Sequence, residues 1–300
     1  MSNYNILLHA ILYVYGFAII TIFVTKVVKP LNGLLLYGKN TSNKLEESPN
    51  SSKSLIQKNI DFLTTITVPK SWFAHYYVAF FINCSVIEAL TNGTQLPSYV
   101  ADLIPQPSQV TVDPVIYKDY KLIHIMLFIQ AARRSFESYT ITKFAKTSKM
   151  NFSHYLVGHM YYTLISLNCY LSLLKIVPVP YSKLFQEFTT IDYALLGIFG
   201  LASVDQFSNH YHLSTLVKYT VPNFKYVASP HYLDEIIIYL VVLVVSAKDG
   251  SFDFIALNYL VGWIFVVENL SVSSIETYKF YQTKFKDDFK LKWSIIPGIL

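Results

Sequence analysis

The sequence has little charge. Charged residues make up 14% of its 300 positions, whereas a soluble domain usually carries about 25%. Hydrophobic residues make up 53% of the chain, and the mean hydropathy is +0.37. These values exclude an ordinary soluble domain and indicate an integral membrane protein.

Arginine and cysteine are also scarce. Arg133 and Arg134 are the only arginines, and the lysines form no dense basic run. With a net charge of only +5, nucleic acid is not expected as a partner. Cys84 and Cys169 both lie in apolar stretches, which excludes a disulfide framework and predicts buried thiols and no metal site. No obligate protein partner is predicted.

The sequence also lacks the common nucleotide-binding motifs. It has no GxGxxG after a strand, no P-loop and no Gly-x-Ser-x-Gly elbow, which excludes a Rossmann domain. Any nucleotide must therefore be held by the membrane helices and their loops. There is no internal repeat, so a transporter built on inverted repeats gains no support.

Long apolar windows predict an all-α, polytopic membrane protein with about seven transmembrane helices in a single domain, 1–300. The first window has no basic n-region or clear cleavage site, so it is interpreted as a retained span. The predicted spans are 6–28, 73–91, 120–142, 153–176, 193–214, 232–248 and 254–273.

Lysines concentrate in alternate connecting segments. The segments 29–72, 143–149 and 215–231 and the tail are lysine-rich, whereas the loops between them carry few basic residues. By the positive-inside rule this predicts a lumenal or external N-terminus, a cytoplasmic C-terminus and a cytoplasmic loop over 29–72. The Ser/Asn/Lys-rich stretch from Gly38 to Lys58 within it is expected to be flexible. The glycosylation sequon at Asn92 then falls in a lumenal loop, where it provides a test of topology.

Two polar pairs stand out in the apolar C-terminal third. Gln206 and His210 are four residues apart in the fifth span, and His231 and Glu235 repeat this spacing at the start of the sixth. Residues at this spacing share one helix face, so the two pairs are able to line one cofactor cavity. The alternative is a set of helix-end residues satisfied by interhelical hydrogen bonds. We predict a C-terminal cofactor-binding region over 192–300.

Arg133, Arg134 and Glu137 lie near the end of the third span. A guanidinium presents a rigid fork of donors that suits phosphate. The alternative interpretations are snorkelling towards the membrane surface and an Arg133–Glu137 pair within the helix.

His75, Tyr76 and Tyr77 open the second span. Such side chains donate hydrogen bonds to a carbonyl oxygen and stabilise a developing enolate, so they are the predicted catalytic residues. The alternative is an aromatic belt at the membrane interface, which is common in a chain with 24 tyrosines.

Several segments together resemble the steroid 5α-reductase family, most closely its polyprenal reductase branch, including the fungal members. Tyr226-Val-Ala-Ser-Pro-His-Tyr-Leu-Asp-Glu235 is similar to the family's C-terminal signature, and the tail from Phe280 to Pro297 resembles its Phe-Tyr ending. Val68 to His75, Arg133 to Glu137 and Tyr37 to Lys39 are similar to the branch specifically. The resemblance touches nearly the whole chain, but the C-terminal third alone is specific by itself.

The resemblance implies a seven-helix enzyme of the endoplasmic reticulum membrane that uses NADPH to reduce a carbon–carbon double bond conjugated to a carbonyl. For this branch the substrate is the long-chain lipid polyprenal, which is reduced to dolichal on the route to dolichol for protein glycosylation. Carried over by position, the implied cofactor-binding residues are Arg134, Gln206, His210, Tyr219, His231, Glu235, Tyr281 and Lys292.

The chain differs from the steroid-reducing members at the positions where those members bind the ketone. His75-Tyr76 stands in place of an early Gln-Glu pair, and Ala131 in place of a tyrosine on the third helix. His231 replaces the usual asparagine of the C-terminal signature. These departures argue against a steroid substrate and leave open which side chain polarises the carbonyl.

Three competing functions follow from the same residues. One is reduction of an enoyl-thioester or a sterol double bond by an enzyme of the same superfamily. Another is a membrane methyltransferase that binds S-adenosylmethionine in a similar helical architecture. The third is a scaffold or lipid-binding protein without catalytic activity.

Overall fold

A computed structural model describes residues 3–28, 31, 55–91, 114–145, 147–174, 184–217, 220–249 and 252–300. Tyr219 and the sequon at Asn92 lie outside these ranges. So does most of the predicted cytoplasmic loop over 29–72.

Long helices dominate the described residues, and this confirms the prediction of an all-α, polytopic membrane protein. Each predicted span overlaps a helix of 18 residues or more. The helices are α1 (Asn3–Val27), α2 (Leu55–Thr65), α3 (Phe73–Thr91), α4 (Pro114–Thr140), α5 (Phe152–Leu173), α6 (Thr190–Thr215), α7 (Pro230–Ala247) and α8 (Phe254–Phe285).

Four segments within the described ranges are both long and apolar enough to cross a bilayer: Asn3–Val27, Lys70–Thr91, Pro230–Ala247 and Phe254–Asp288. The other long helices, α4, α5 and α6, are less apolar than these four segments. That all seven long helices span the membrane stays a prediction.

The helices begin where the sequence supplies caps. The Asn151 side chain accepts a hydrogen bond from the backbone of Ser153 at the start of α5, and Thr189 and Asp192 form a reciprocal capping box at the start of α6. Asp253 caps α8, and Pro230 occupies the first turn of α7, where its missing N–H costs nothing. The start of α7 is therefore well defined, and His231 and Glu235 lie in its first two turns.

Two short strands depart from the all-helical prediction. Strand β1 (Thr67–Pro69) pairs antiparallel with β2 (Lys149–Asn151). Asn151 also donates from Nδ2 to the carbonyl of Leu63, 2.8 Å away. This ribbon joins the segments that precede α3 and α5, so it sets how the first turns of those two helices face each other.

Helix boundaries differ from the predicted spans in two further places. Helix α2 lies within the predicted loop over 29–72, in a stretch that contains no glycine or proline to interrupt a helix. Helix α8 continues twelve residues past the predicted end at 273. No glycine or proline interrupts it there, so the helix continues after the apolar window has ended.

Helix α7 lies at the centre of the bundle and packs against α6, α4 and α8, while α3 packs against α4 and α5, and α1 against α8. Cys84 and Cys169 are buried free thiols, as predicted. The tail returns to the start of α7: the backbone N–H groups of Ala228 and Ser229 donate to the carbonyls of Trp293 and Ser294, each at 3.0 Å. This contact holds the start of α7 in place.

Candidate functional site

A cavity of ≈170 Å³ lies where the first turns of α3, α5 and α7 meet α4, α6 and α8. One side is polar and is formed by Arg134, Gln206, His210, His231 and Glu235. The opposite side is aromatic and aliphatic. A pocket with a few convergent polar groups on an otherwise apolar wall is typical of a ligand site.

A hydrogen-bonded network forms the polar side. We call it the arginine cluster, and it consists of Arg133, Arg134, Glu137, Gln206, His210 and Glu235. It joins α4, α6 and α7. Glu137 is fully buried at its centre, and both arginines donate to its carboxylate. A carboxylate buried at this depth requires such compensation.

Arg134 connects the cluster to the aromatic wall. One guanidinium nitrogen donates to the hydroxyl of Tyr77, 2.6 Å away, and the guanidinium carbon lies 4.5 Å from the centre of that ring. The other terminal nitrogen donates to Glu137 and lies 2.8 Å from Nδ1 of His210. A lysine has no planar fork and cannot make these contacts together.

Gln206 and Glu235 link α6 to α7. The Gln206 amide donates to the carbonyl of His231 at 2.8 Å and to the Glu235 carboxylate at 2.5 Å. Arg133 donates in turn to the Gln206 side-chain oxygen. On α4, Gln130 donates to the other carboxylate oxygen of Glu235, 3.3 Å away. Both oxygens of Glu235 are therefore held in place at the cavity wall.

Some polar atoms at this site have no hydrogen-bond partner among the described residues. They include Nε of Arg133, Nε of Arg134 and Nδ1 of His231, all of which are buried. Buried polar atoms normally have partners. Nε of Arg134 lies 4.0 Å from a carboxylate oxygen of Glu235. Arg134, His231 and Glu235 all line the cavity, so this wall combines donor and acceptor side chains. Such a set fits an amide-bearing group such as a nicotinamide.

The aromatic wall consists largely of tyrosines. Tyr76 and Tyr77 from α3 are buried beside Tyr162 from α5. The rings of Tyr76 and Tyr162 stack with centroids 5.6 Å apart. Tyr77 therefore has the Arg134 guanidinium on one side and the Tyr162 ring on the other, at 5.4 Å.

Seven of the predicted site residues line this one cavity: Tyr76, Tyr77, Arg134, Gln206, His210, His231 and Glu235. The remaining described ones do not. His75 is exposed and contacts the Tyr155 hydroxyl at 3.3 Å, while Tyr281 packs on Phe285 and Phe289 and Lys292 is exposed in the tail. Tyr219 lies outside the described residues.

Sequence reasoning missed Gln130, Tyr161, Tyr162 and Tyr239. Gln130 precedes Arg134 by four residues on the same face of α4, and this spacing was available in the sequence. The three tyrosines had no such signal, because a tyrosine in a membrane span looks the same whether it faces lipid or a cavity. Packing against neighbouring helices decides between the two.

A second set of charges, most of them buried, lies at the other end of α4. We call it the lysine cluster, and it consists of Lys118, Asp119, Asp192, Lys248 and Asp249. Three of its carboxylates come within 4.8 Å of one another, as ligands of a cation would. Both ammonium groups, however, are already in contact with them. The hydrogen bond from Lys248 holds the pKa of Asp249 below its ordinary value.

Comparison with known proteins places the chain among reductases. Residues 180–300 match the family described as 3-oxo-5-alpha-steroid 4-dehydrogenase. The polyprenal reductase of Saccharomyces cerevisiae is 30% identical over 285 residues, which cover 94% of this chain and 91% of that protein. The polyprenal reductase of Drosophila melanogaster is 24% identical over 290 residues, which cover 87% of this chain and 86% of that protein.

Proposed function

The chain belongs to the steroid 5α-reductase family, and we propose that it is an NADPH-dependent reductase that converts polyprenal to dolichal. The observation that supports this proposal most directly is the cavity that joins Tyr77, through Arg134, to the polar residues of α6 and α7. The similarity to polyprenal reductases over almost the whole chain supports the choice of substrate.

In the proposed reaction, the double bond next to the aldehyde gains a hydride at the β-carbon, and the enolate that results takes a proton from water at the α-carbon. NADPH, when bound, supplies the hydride. Glu235, with both oxygens held by Gln206 and Gln130, accepts hydrogen bonds from the carboxamide of the cofactor. Arg134 and His231, which line the same wall, complete this polar surface. These residues bind and orient the cofactor, which is a large part of what such an enzyme contributes.

Tyr77 is the side chain that we propose to polarise the aldehyde. Its oxygen accepts a hydrogen bond from Arg134, so its own O–H is directed to another acceptor. A hydroxyl that accepts from a guanidinium is a stronger donor, because hydrogen bonds in a chain polarise one another. Such a donor stabilises the negative charge that develops on the aldehyde oxygen as the β-carbon is attacked.

Tyr76 lines the same cavity and contributes its ring to the wall. His75, the third predicted catalytic residue, points away from the cavity into contact with Tyr155 and Trp72. We therefore assign the carbonyl contact to Tyr77 rather than to His75.

The apolar side of the cavity suits the isoprenoid end of the substrate. Val157 from α5 and Phe265, Val266 and Leu270 from α8 form this side. We propose that the protein works as a multi-pass enzyme of the endoplasmic reticulum membrane, with a cytoplasmic C-terminus, and that its product supplies dolichol for protein glycosylation.

The direct test uses purified protein in lipid nanodiscs with NADPH and polyprenal, and detects dolichal by mass spectrometry. We expect turnover by the wild type and a loss of about 100-fold or more in kcat for Tyr77→Phe, the usual size of a lost acid or oxyanion donor. The matched control is Tyr139→Phe, on an exposed tyrosine of α4, with unchanged activity.

Two outcomes would contradict the proposal. Wild-type protein that leaves polyprenal unchanged, but transfers a methyl group from S-adenosylmethionine, would favour the methyltransferase. Wild-type activity in Tyr77→Phe would reject Tyr77 as the donor while leaving the overall reaction intact.

A further inference from the structure

Gly158 lies in the interior of α5, where glycine is a poor helix former, and it faces the cavity wall. A Cβ built at this position would lie 2.7 Å from both Cδ1 and Cε1 of Tyr76 and 3.2 Å from Cγ. These distances are far below van der Waals contact. The Tyr76 ring therefore rests on the α5 backbone in a position that only glycine allows.

Other aromatic side chains pack against the Tyr76 ring on its remaining sides. Phe73 contacts it edge-on, with centroids 5.4 Å apart, Tyr77 lies at 4.8 Å, and Tyr162 stacks on it at 5.6 Å. His159 adds an edge contact at 5.9 Å. Since Tyr76 also lines the cavity, the open space available to a displaced ring is the cavity itself.

We propose that Gly158 is a specificity-determining position: by letting the Tyr76 ring lie against α5, it sets the width of the cavity beside Tyr77. This inference rests on the proposed function. The β-carbon of a polyprenal carries a methyl branch, so the substrate is wider next to the reacting carbons than a straight-chain enal. A cavity narrowed by a displaced Tyr76 would exclude the branched aldehyde before it excluded the cofactor.

The test compares Michaelis constants, because these do not depend on how much of a preparation is active. In Gly158→Ala we expect KM for polyprenal to rise roughly tenfold, with KM for NADPH unchanged. A tenfold change corresponds to about 1.4 kcal/mol, which lies within the usual cost of overpacking. The matched control is Gly200→Ala, because a Cβ at Gly200 meets nothing within 4 Å. It should leave both constants unchanged.

A second substitution distinguishes a narrower cavity from a destabilised helix as the cause of a raised KM. In the double variant Gly158→Ala with Tyr76→Leu, the ring that meets the new methyl group is gone. We expect this variant to have the same KM for polyprenal as Tyr76→Leu alone, even where Gly158→Ala by itself accumulates poorly.

The outcomes distinguish this inference from the proposed function. Wild type that does not reduce polyprenal contradicts both. An active wild type with an unchanged KM in Gly158→Ala contradicts the inference alone, as does a double variant whose KM exceeds that of Tyr76→Leu.

Discussion

The arginine cluster and the lysine cluster lie at opposite ends of helix α4 and are both mostly buried, but they differ in what surrounds them. Lys118 and Arg134 are separated by about 24 Å along the helix axis. In the lysine cluster, Lys118 reaches Asp192 at 2.9 Å, and Lys248 reaches Asp119 at 2.8 Å. Every charged group there has an oppositely charged neighbour within the cluster.

The arginine cluster has the same kind of internal pairing but borders a cavity. Its buried Nε atoms on Arg133 and Arg134 have no hydrogen-bond partner in the part of the chain that the structure describes. Arg134 also extends a hydrogen bond out of the cluster to Tyr77. Buried charge alone therefore does not mark a site. The arginine cluster differs because it borders a cavity and because Arg134 donates a hydrogen bond to Tyr77, a side chain of the cavity wall.

The largest effect is expected where the lysine cluster is broken. Lys118 is 1% exposed, and Lys118→Met leaves buried carboxylates with one cation fewer. Loss of one partner from a buried pair costs about 3–5 kcal/mol in the free energy of unfolding. Melting in detergent measures it, and the activity per folded molecule should stay the same. Lys279→Met, on an exposed lysine that pairs with Glu276, is the control with little effect.

Arg134→Lys should show the opposite pattern, with a large effect on kcat and a smaller effect on stability. The charge remains but the planar fork is lost, so Tyr77, Glu137 and His210 are no longer held by one group. We expect kcat to fall about 100-fold, comparable to loss of an oxyanion donor, with a smaller change in melting temperature than for Lys118→Met. A variant that melts early but keeps wild-type kcat would give the arginine cluster the same structural role as the lysine cluster.

Glu235→Gln should affect cofactor binding more than chemistry. The substitution keeps the shape of the side chain but removes the charge that accepts from Gln206 and Gln130. Charge-assisted hydrogen bonds are about twice as strong as neutral ones, so we expect KM for NADPH to rise roughly tenfold and kcat to change less. Titration of NADPH fluorescence gives the affinity directly. Unchanged affinity would remove Glu235 from the cofactor site.

The smallest effect is expected at Asp249, and its size depends on pH. Lys248 holds the folded-state pKa of Asp249 below its unfolded value, so the ionised carboxylate stabilises the fold above about pH 4. That contribution is lost as the pH falls through the folded pKa. Asp249→Asn should lower the free energy of unfolding at pH 7 slightly, by less than about 1 kcal/mol, and the melting temperature should fall with it. The difference from wild type should shrink below about pH 4, and a constant difference would contradict this.

Part of the site was predictable because local spacing carries it. Gln206 with His210, and His231 with Glu235, share helix faces by their four-residue separation, and Pro230 marks where α7 begins. The ribbon between β1 and β2 was not predicted, because three-residue strands leave too short a pattern to recognise. The extent of α8 beyond 273 was missed for a different reason, since hydropathy reports the thickness of the membrane and not the end of a helix.

The choice among His75, Tyr76 and Tyr77 shows where sequence reasoning ends. All three are adjacent, and each is able to donate a hydrogen bond to a carbonyl. Their directions differ by about 100° per residue around α3, so packing sends His75 towards Tyr155 and Tyr77 towards Arg134. No local sequence pattern specifies these side-chain directions.

Composition and helical periodicity act over short distances along the chain, so they were sufficient to predict the membrane class, the long helices and the polar pairs on α6 and α7. The contacts of Tyr77 with Arg134 and of Tyr76 with Gly158 became visible only in the tertiary structure. Those contacts join residues 57 and 82 positions apart, and they depend on how α3 packs against α4 and α5. Only the folded bundle brings these side chains together.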